Sequence, residues 1–140
     1  MAEYVNNSIV TVASNQSVPL DAAAASGKAC IVHREGSSQI TLRGLTNQNR
    51  ALFRVSYGGN IAIPTGGTVE AITAALAING EPLTSATATV TPAAVENYFN
   101  IYVSAQVCVP KGCCLTVAME NTSTQAVNFA NSNLTVERIA

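Results

Sequence analysis

The chain has 140 residues, 48% of them apolar and only 11% charged, with seven Lys/Arg, eight Asp/Glu and a net charge of −1. A usual domain carries ~25% charged residues, so the Ser, Thr, Asn and Gln that fill the polar positions here argue for β-sheets and against a charge-laced helical bundle. The basic residues form no cluster, which excludes an electrostatic footprint for nucleic acid. No run approaches ~18 uninterrupted apolar residues, so no helix spans a membrane.

The opening "MAEYVNNSIVTVASNQ" lacks a basic n-region and a long apolar h-region, so it is not a signal peptide. Residues 1–8, polar and ahead of the first alternating stretch, are expected as an N-terminal arm reaching a neighbour, and 9–140 as a single domain. From "SIVTV" (8–12) onward the periodicity is two almost everywhere. "DAAAASGKAC" (21–30) is closed by Ser-Gly and reads as a loop or one helical turn. "ACIVH" (29–33), "QITLRGL" (39–45), "ALFRVSY" (51–57) and "NIAIP" (60–64) are strands bounded by Gly, Ser or Asn.

"VEAITAALAI" (69–78) has the Ala and Leu of a helix, yet Ile72, Ala74, Leu76 and Ile78 share one face at period two. Asn79-Gly80 then supplies the positive-φ turn of a hairpin, so the segment is expected as a strand. "TATVT" (87–91) follows, and "TPAAVENY" (91–98) is the best candidate for a short helix, with Pro at its first position. "YFNIYVSAQVCV" (98–109), "CLTVAME" (114–120), "AVNFA" (126–130) and "NLTVERI" (133–139) complete the strands. Roughly ten short strands without a βαβ rhythm point to one antiparallel β-sandwich or barrel.

Few residues offer chemistry. His33 is the sole histidine and sits beside Arg34 and Glu35. In a strand, Cys30 three residues away points to the opposite face, so it cannot form a local dyad with His33, while Glu35 could make only an ion pair with it. The expected role of His33 is structural, before a "REGSS" turn. A cupin-type metal site needs several histidines, so catalytic, cofactor and metal sites are all expected to be absent. The spacing of Cys30, Cys108, Cys113 and Cys114 is a poor match to zinc knuckles.

"CVPKGCC" does make Cys108 and Cys114 candidate disulfide partners. A three-residue "PKG" loop with Gly112 left-handed would pair Val109 with Cys113, Val107 with Leu115 and Ala105 with Val117. Cys108 would then face Cys114. Were the two strands to lie in different sheets, that pairing would fail, and reduced Cys would pack as a small hydrophobe. "YGGN" and "TGG" carry no lysine and make no phosphate loop. Four N-x-S/T sequons, at Asn6, Asn15, Asn121 and Asn133, are unremarkable in so Asn-rich a chain.

"GGTVEAITAALAINGEPLTSATATVTP" followed by "YFNIYVSAQVCVPKGCCLTVAMENTSTQAVNFANSNLTVERIA" resembles the C-terminal half of TNF/C1q-like trimeric jelly rolls, notably the bacterial ones that cap collagen-like spore-surface proteins. "HREGSSQITLRGLTNQNRALFRVSYGGNIAIPTGG" is similar to the first half of such domains in small proteins of bacteriophages that infect gut Firmicutes. No G-X-Y repeat precedes the domain, which favours a stand-alone virion protein over a collagen stalk cap. The resemblance implies an all-β, antiparallel jelly-roll sandwich in which strand 98–109 lines a threefold axis. It also implies that the strands around Cys108 and Cys114 fall in opposite sheets, leaving free thiols.

The residues agree with that placement. Phe99, Ile101, Val103, Ala105 and Val107 make a core-like face, whereas Tyr98, Asn100, Tyr102, Ser104, Gln106 and Cys108 make an aromatic, uncharged one. Interfaces are enriched in Tyr and depleted in Lys and Glu, so Tyr98, Tyr102 and Gln106 are the expected trimer interface. The expected function is that of a non-enzymatic virion structural protein, a homotrimeric capsid decoration or head-fibre subunit. It would be made in the host cytoplasm and bind the major capsid protein or another virion protein, with neither nucleic acid nor membrane as partner. The alternative is a carbohydrate- or receptor-binding module at a fibre tip or a bacterial or spore surface. That module would engage surface glycans through an exposed aromatic with Asn, Gln or Asp in a groove.

Overall fold

The computed structural model describes residues 2–25, 30–34 and 36–139. Among these are eleven strands and no helix: β1 (Ala2–Asn6), β2 (Val10–Val12), β3 (Ala22–Ala25), β4 (Ile31–His33), β5 (Ile40–Arg43), β6 (Arg50–Ala62), β7 (Ile72–Ile78), β8 (Glu81–Val90), β9 (Phe99–Pro110), β10 (Cys114–Asn121) and β11 (Val127–Arg138). They form two antiparallel sheets. The first has the order β3-β1-β11-β6-β9, with β2 also on β11, and the second the order β4-β5-β10-β7-β8. This is the expected all-β jelly-roll sandwich.

Alternation builds the core. Phe53, Val55, Tyr57 and Ile61 of β6, Leu134 and Val136 of β11, and Ile101, Val107 and Val109 of β9 point inward from the first sheet. Ile40, Leu42, Ile72, Leu76, Val117 and Met119 meet them from the second. β7 is a strand with Ile72, Ala74 and Leu76 in the core, and it turns through Asn79 (φ 53°) and Gly80 (φ 83°) into β8. Both turn residues are left-handed, the geometry that matches the twist of a two-residue hairpin. Asn79 Oδ1 accepts the Thr116 N–H at 3.0 Å and so ties the turn to β10.

Three local expectations are corrected. Residues 2–6 are not an arm: β1 is inserted between β11 and β3, with Ala2 and Tyr4 buried. The alternation Ala2, Tyr4, Asn6 sends one face into the sandwich, and Asn6 is satisfied there by donating to Pro19 O at 2.9 Å. Ala22–Ala25 is a strand rather than a loop or helical turn, because β1 offers it an edge to pair with. Residues 91–98 form no helix. Glu96 is left-handed (φ 58°) and donates its N–H to Ile63 O at 2.8 Å, which holds the segment as a turn over the end of β6.

Candidate functional site

β9 is the free edge strand of the first sheet and pairs along its whole length with β6, Arg50↔Pro110 through Ile61↔Phe99. Its inward residues Ile101, Val103, Val107 and Val109 are buried, but Phe99, at the strand's first position, is 39% exposed and so leaves the core face expected of it. The other face is open, with Asn100, Tyr102, Ser104, Gln106 and Cys108 all exposed. Tyr102 is 66% exposed, and opposite it stands Gly58, whose missing Cβ would lie only 3.8 Å from Tyr102 Cδ2. A side chain at Gly58 would therefore reach ordinary contact with the Tyr102 ring, which remains two-thirds open to water.

Further along, Ser56 faces Ser104 and Arg54 faces Gln106, with Glu137 of β11 opposite Arg54. The face is uncharged on β9 itself and carries charge one strand in. Tyr98 departs from the expected trio: it lies just before β9, is half-buried, and lines a recess at the end of the sheet rather than standing beside Tyr102.

That recess, of about 360 Å³, is lined by Asn7 and Ile9 from the β1–β2 connection, by Tyr98, and by Asn60, Ala130 and Asn131. Register places Asn100, Asn60 and Ala130 in one row across β9, β6 and β11. A bulge in β11 after Ala130 turns Asn131 left-handed (φ 56°). Asn100 Nδ2 donates to Asn60 Oδ1, and Asn60 Nδ2 to Asn131 Oδ1, each at 3.2 Å. This amide ladder has no linear motif. Its members come from three strands and align only once the register is known.

His33 stands in the second sheet at the rim of the sandwich. Its Nε2 is 2.9 Å from Ser37 O across the following turn, and its ring packs on Tyr4 with centroids 4.4 Å apart. Glu35 lies outside the described residues. Among the described residues no group of three His, Cys, Asp or Glu side chains is placed to hold a metal.

The hairpin register proposed around "CVPKGCC" is not formed. β9 pairs with β6, and β10 with β5 and β7, so Cys108 and Cys114 belong to different sheets. All four cysteines are free: Cys30 is half-buried, and Cys108, Cys113 and Cys114 are exposed. Gly112 is left-handed as the loop expectation required (φ 78°), but the turn it makes docks on residues 44–49. Lys111 N–H donates to Asn49 O, Gly112 N–H to Gly44 O, and Gly44 N–H to Cys113 O.

No protein-family model and no curated protein matches the sequence. Solved structures do. The Eiger TNF from S. frugiperda superposes with a TM-score of 0.68 at 12% identity, over 99% of this chain and 91% of its own. The globular domain of the zebrafish complement 1qA protein superposes with a TM-score of 0.61 at 8% identity, over 99% and 96%. With two antiparallel sheets in this order and these two likenesses spanning nearly the whole chain, the fold is a TNF/C1q-like jelly roll.

Proposed function

We propose that this protein is a non-enzymatic structural subunit that assembles as a homotrimer through the outer face of β9 and β6. In this reading it sits on a virion surface, as a capsid decoration or head-fibre subunit bound to the major capsid protein or another virion protein, the support being the likeness of its sequence pattern to small phage proteins. The observation that carries the reading is Tyr102, the most exposed large hydrophobic among the described residues, opposite Gly58 on a free sheet edge. Long flat edges are ordinarily blunted by charge, and β9 presents none between Phe99 and Pro110. Three such edges closing around an axis remove them from water and leave no open end for further growth.

Tyr102, Ser104 and Gln106 form the contact in this reading, with Tyr98 beyond its end. Sedimentation of the purified chain at micromolar concentration tests the assembly, a trimer being expected. Mass spectrometry of purified virions tests the location: the chain should be found in particles, and its consistent absence from them would end the virion reading.

A further inference from the structure

We propose that the recess at the Tyr98 end of the first sheet is a binding site for a neutral pyranose sugar. It goes beyond the trimeric reading and does not depend on it, since the contact proposed above runs from Tyr102 the other way along β9.

The chemistry of the lining selects the ligand class. Asn7, Asn60 and Asn131 contribute side-chain amides, Tyr98 a phenol, and Ile9 and Ala130 apolar surface. No Lys, Arg, His, Asp or Glu lines the recess. A phosphate or sulfate would find no cation there, and an ammonium group no carboxylate. A sugar hydroxyl is at once donor and acceptor, and so is a carboxamide, with two N–H groups and two lone pairs.

The ladder leaves that capacity available. Asn60 spends one lone pair on Asn100 and one N–H on Asn131, while Asn131 spends only its carbonyl oxygen. The ladder also restrains the Asn60 and Asn131 amides, so less rotamer freedom remains to be lost at these two on binding. Such preorganisation is what weak polar ligands need.

Shape agrees with chemistry. A pyranose has two apolar C–H faces and a polar rim. Here Tyr98 and the 63%-exposed Ile9 supply apolar surface beside the three amides of the lining. A cavity of about 360 Å³ is near the lower end of small-molecule sites and suits one or two sugar rings. An Ile this exposed beside fixed amides is otherwise unexplained by the fold, since β2 begins only at Val10.

The test is a heteronuclear NMR titration of the ¹⁵N-labelled full chain with glucose, galactose, mannose, N-acetylglucosamine and N-acetylgalactosamine. Glycerol and N-acetylneuraminic acid serve as the small-polyol and anionic controls. At least one neutral pyranose should shift the signals of Asn60, Tyr98, Ala130 and Asn131 saturably, with a Kd in the millimolar range. Asn131→Gly removes one ladder amide at a backbone conformation that glycine adopts freely, so it keeps the fold even if Asn60→Ala does not. It should weaken binding at least about tenfold with unchanged sedimentation.

The assignment is overturned if no neutral sugar shifts these residues, if the shifts map elsewhere, if glycerol or N-acetylneuraminic acid matches the sugars, or if Asn131→Gly binds as wild type does. A chain that sediments as a monomer and still binds would end the threefold reading and leave the recess assignment standing.

Discussion

The hydroxyls of Tyr57 and Ser132 lie 2.8 Å apart inside the sandwich, where Tyr57 is fully buried and Ser132 nearly so. The pair exists because β11 bulges between Ala130 and Asn133, which brings Ser132 over the β6 tyrosine. Opposite the bulge Gly59 leaves room for the phenol, since a Cβ there would sit 2.8 Å from Tyr57 Oη. Tyr57→Phe leaves the Ser132 hydroxyl buried without its partner and should cost about 1–3 kcal/mol in urea unfolding. Adding Ser132→Ala should recover most of that loss, because two apolar groups then meet where two polar ones did.

The same pair sets an alkaline limit. Burial, partly offset by the Ser132 hydrogen bond, pushes the Tyr57 pKa from 10.0 up to about 12. The unfolded chain therefore ionises first as pH rises. Stability should be unaffected by this group below about pH 9, fall from about pH 10, and level off past pH 12, by on the order of 2–3 kcal/mol in all. Tyr57→Phe should lose less stability than wild type between pH 9 and 12. Parallel pH profiles would show that Tyr57 does not titrate as a buried phenol.

Gly44 is where the β9–β10 crossover is fastened. A Cβ at this position would stand 2.2 Å from Pro110 O, a backbone atom with no room to give. Gly44→Ala must therefore push the 110–113 turn off the 44–49 segment and break the Gly44–Cys113 and Gly112–Gly44 hydrogen bonds. The expected cost is about 1–3 kcal/mol by thermal or urea unfolding, as for other overpacked sites. Gly36→Ala, which meets nothing within 4 Å, isolates the effect of close approach from that of a positive φ.

What was legible in the sequence follows from how local each cause is. The β7–β8 hairpin could be read because its two causes, alternation from Ile72 and the Asn79-Gly80 pair, are adjacent in the chain. β1 and β3 could not, because Ala22–Ala25 becomes a strand only through Tyr4 and Val5 beside it. The short helix expected over 91–98 failed for a related reason, a tertiary hydrogen bond from Glu96 to Ile63 overriding a Pro-led local signal. The open face of β9 was visible as a period-two pattern. The amide row Asn100–Asn60–Asn131 was not, since register and a bulge create it.

Glu120 gives a second pH signature, in the acid range. It lies on β10 beneath residues 15–18, which bind the strand through Asn15 N–H to Asn121 O, Val18 N–H to Met119 O and Asn121 N–H to Gln16 O. Only 8% exposed, its carboxyl has its pKa raised by burial above the usual 4.5. A raised carboxyl is ionised in the unfolded chain before the folded one, so this group's contribution to stability is most favourable at low pH, falls as pH climbs through 4.5 and stays reduced at neutrality. Glu120→Gln should accordingly be more stable than wild type at pH 7 and equal or weaker at pH 3. A variant less stable at pH 7 would mean that the carboxylate is held by favourable contacts.

Tyr102 tests the assembly most sharply. Its ring is two-thirds open to water in the single chain, on a residue paired with Gly58 and between Asn100 and Ser104 on the strand face. Covering it should contribute on the order of 2–4 kcal/mol per subunit, at about 25 cal/mol per Å² of apolar surface. Tyr102→Asp removes that surface and, around a threefold axis, sets three carboxylates near one another in a partly dry site. Like charges there would be forced to protonate or separate. In an isolated chain the same substitution only places a carboxylate on an exposed strand face, so folding should survive. Sedimentation should therefore show a trimer for wild type and for Tyr102→Phe, and a folded monomer with the same β-rich circular dichroism for Tyr102→Asp. A monomeric wild type, or a Tyr102→Asp trimer as tight as wild type, would move the contact off this face.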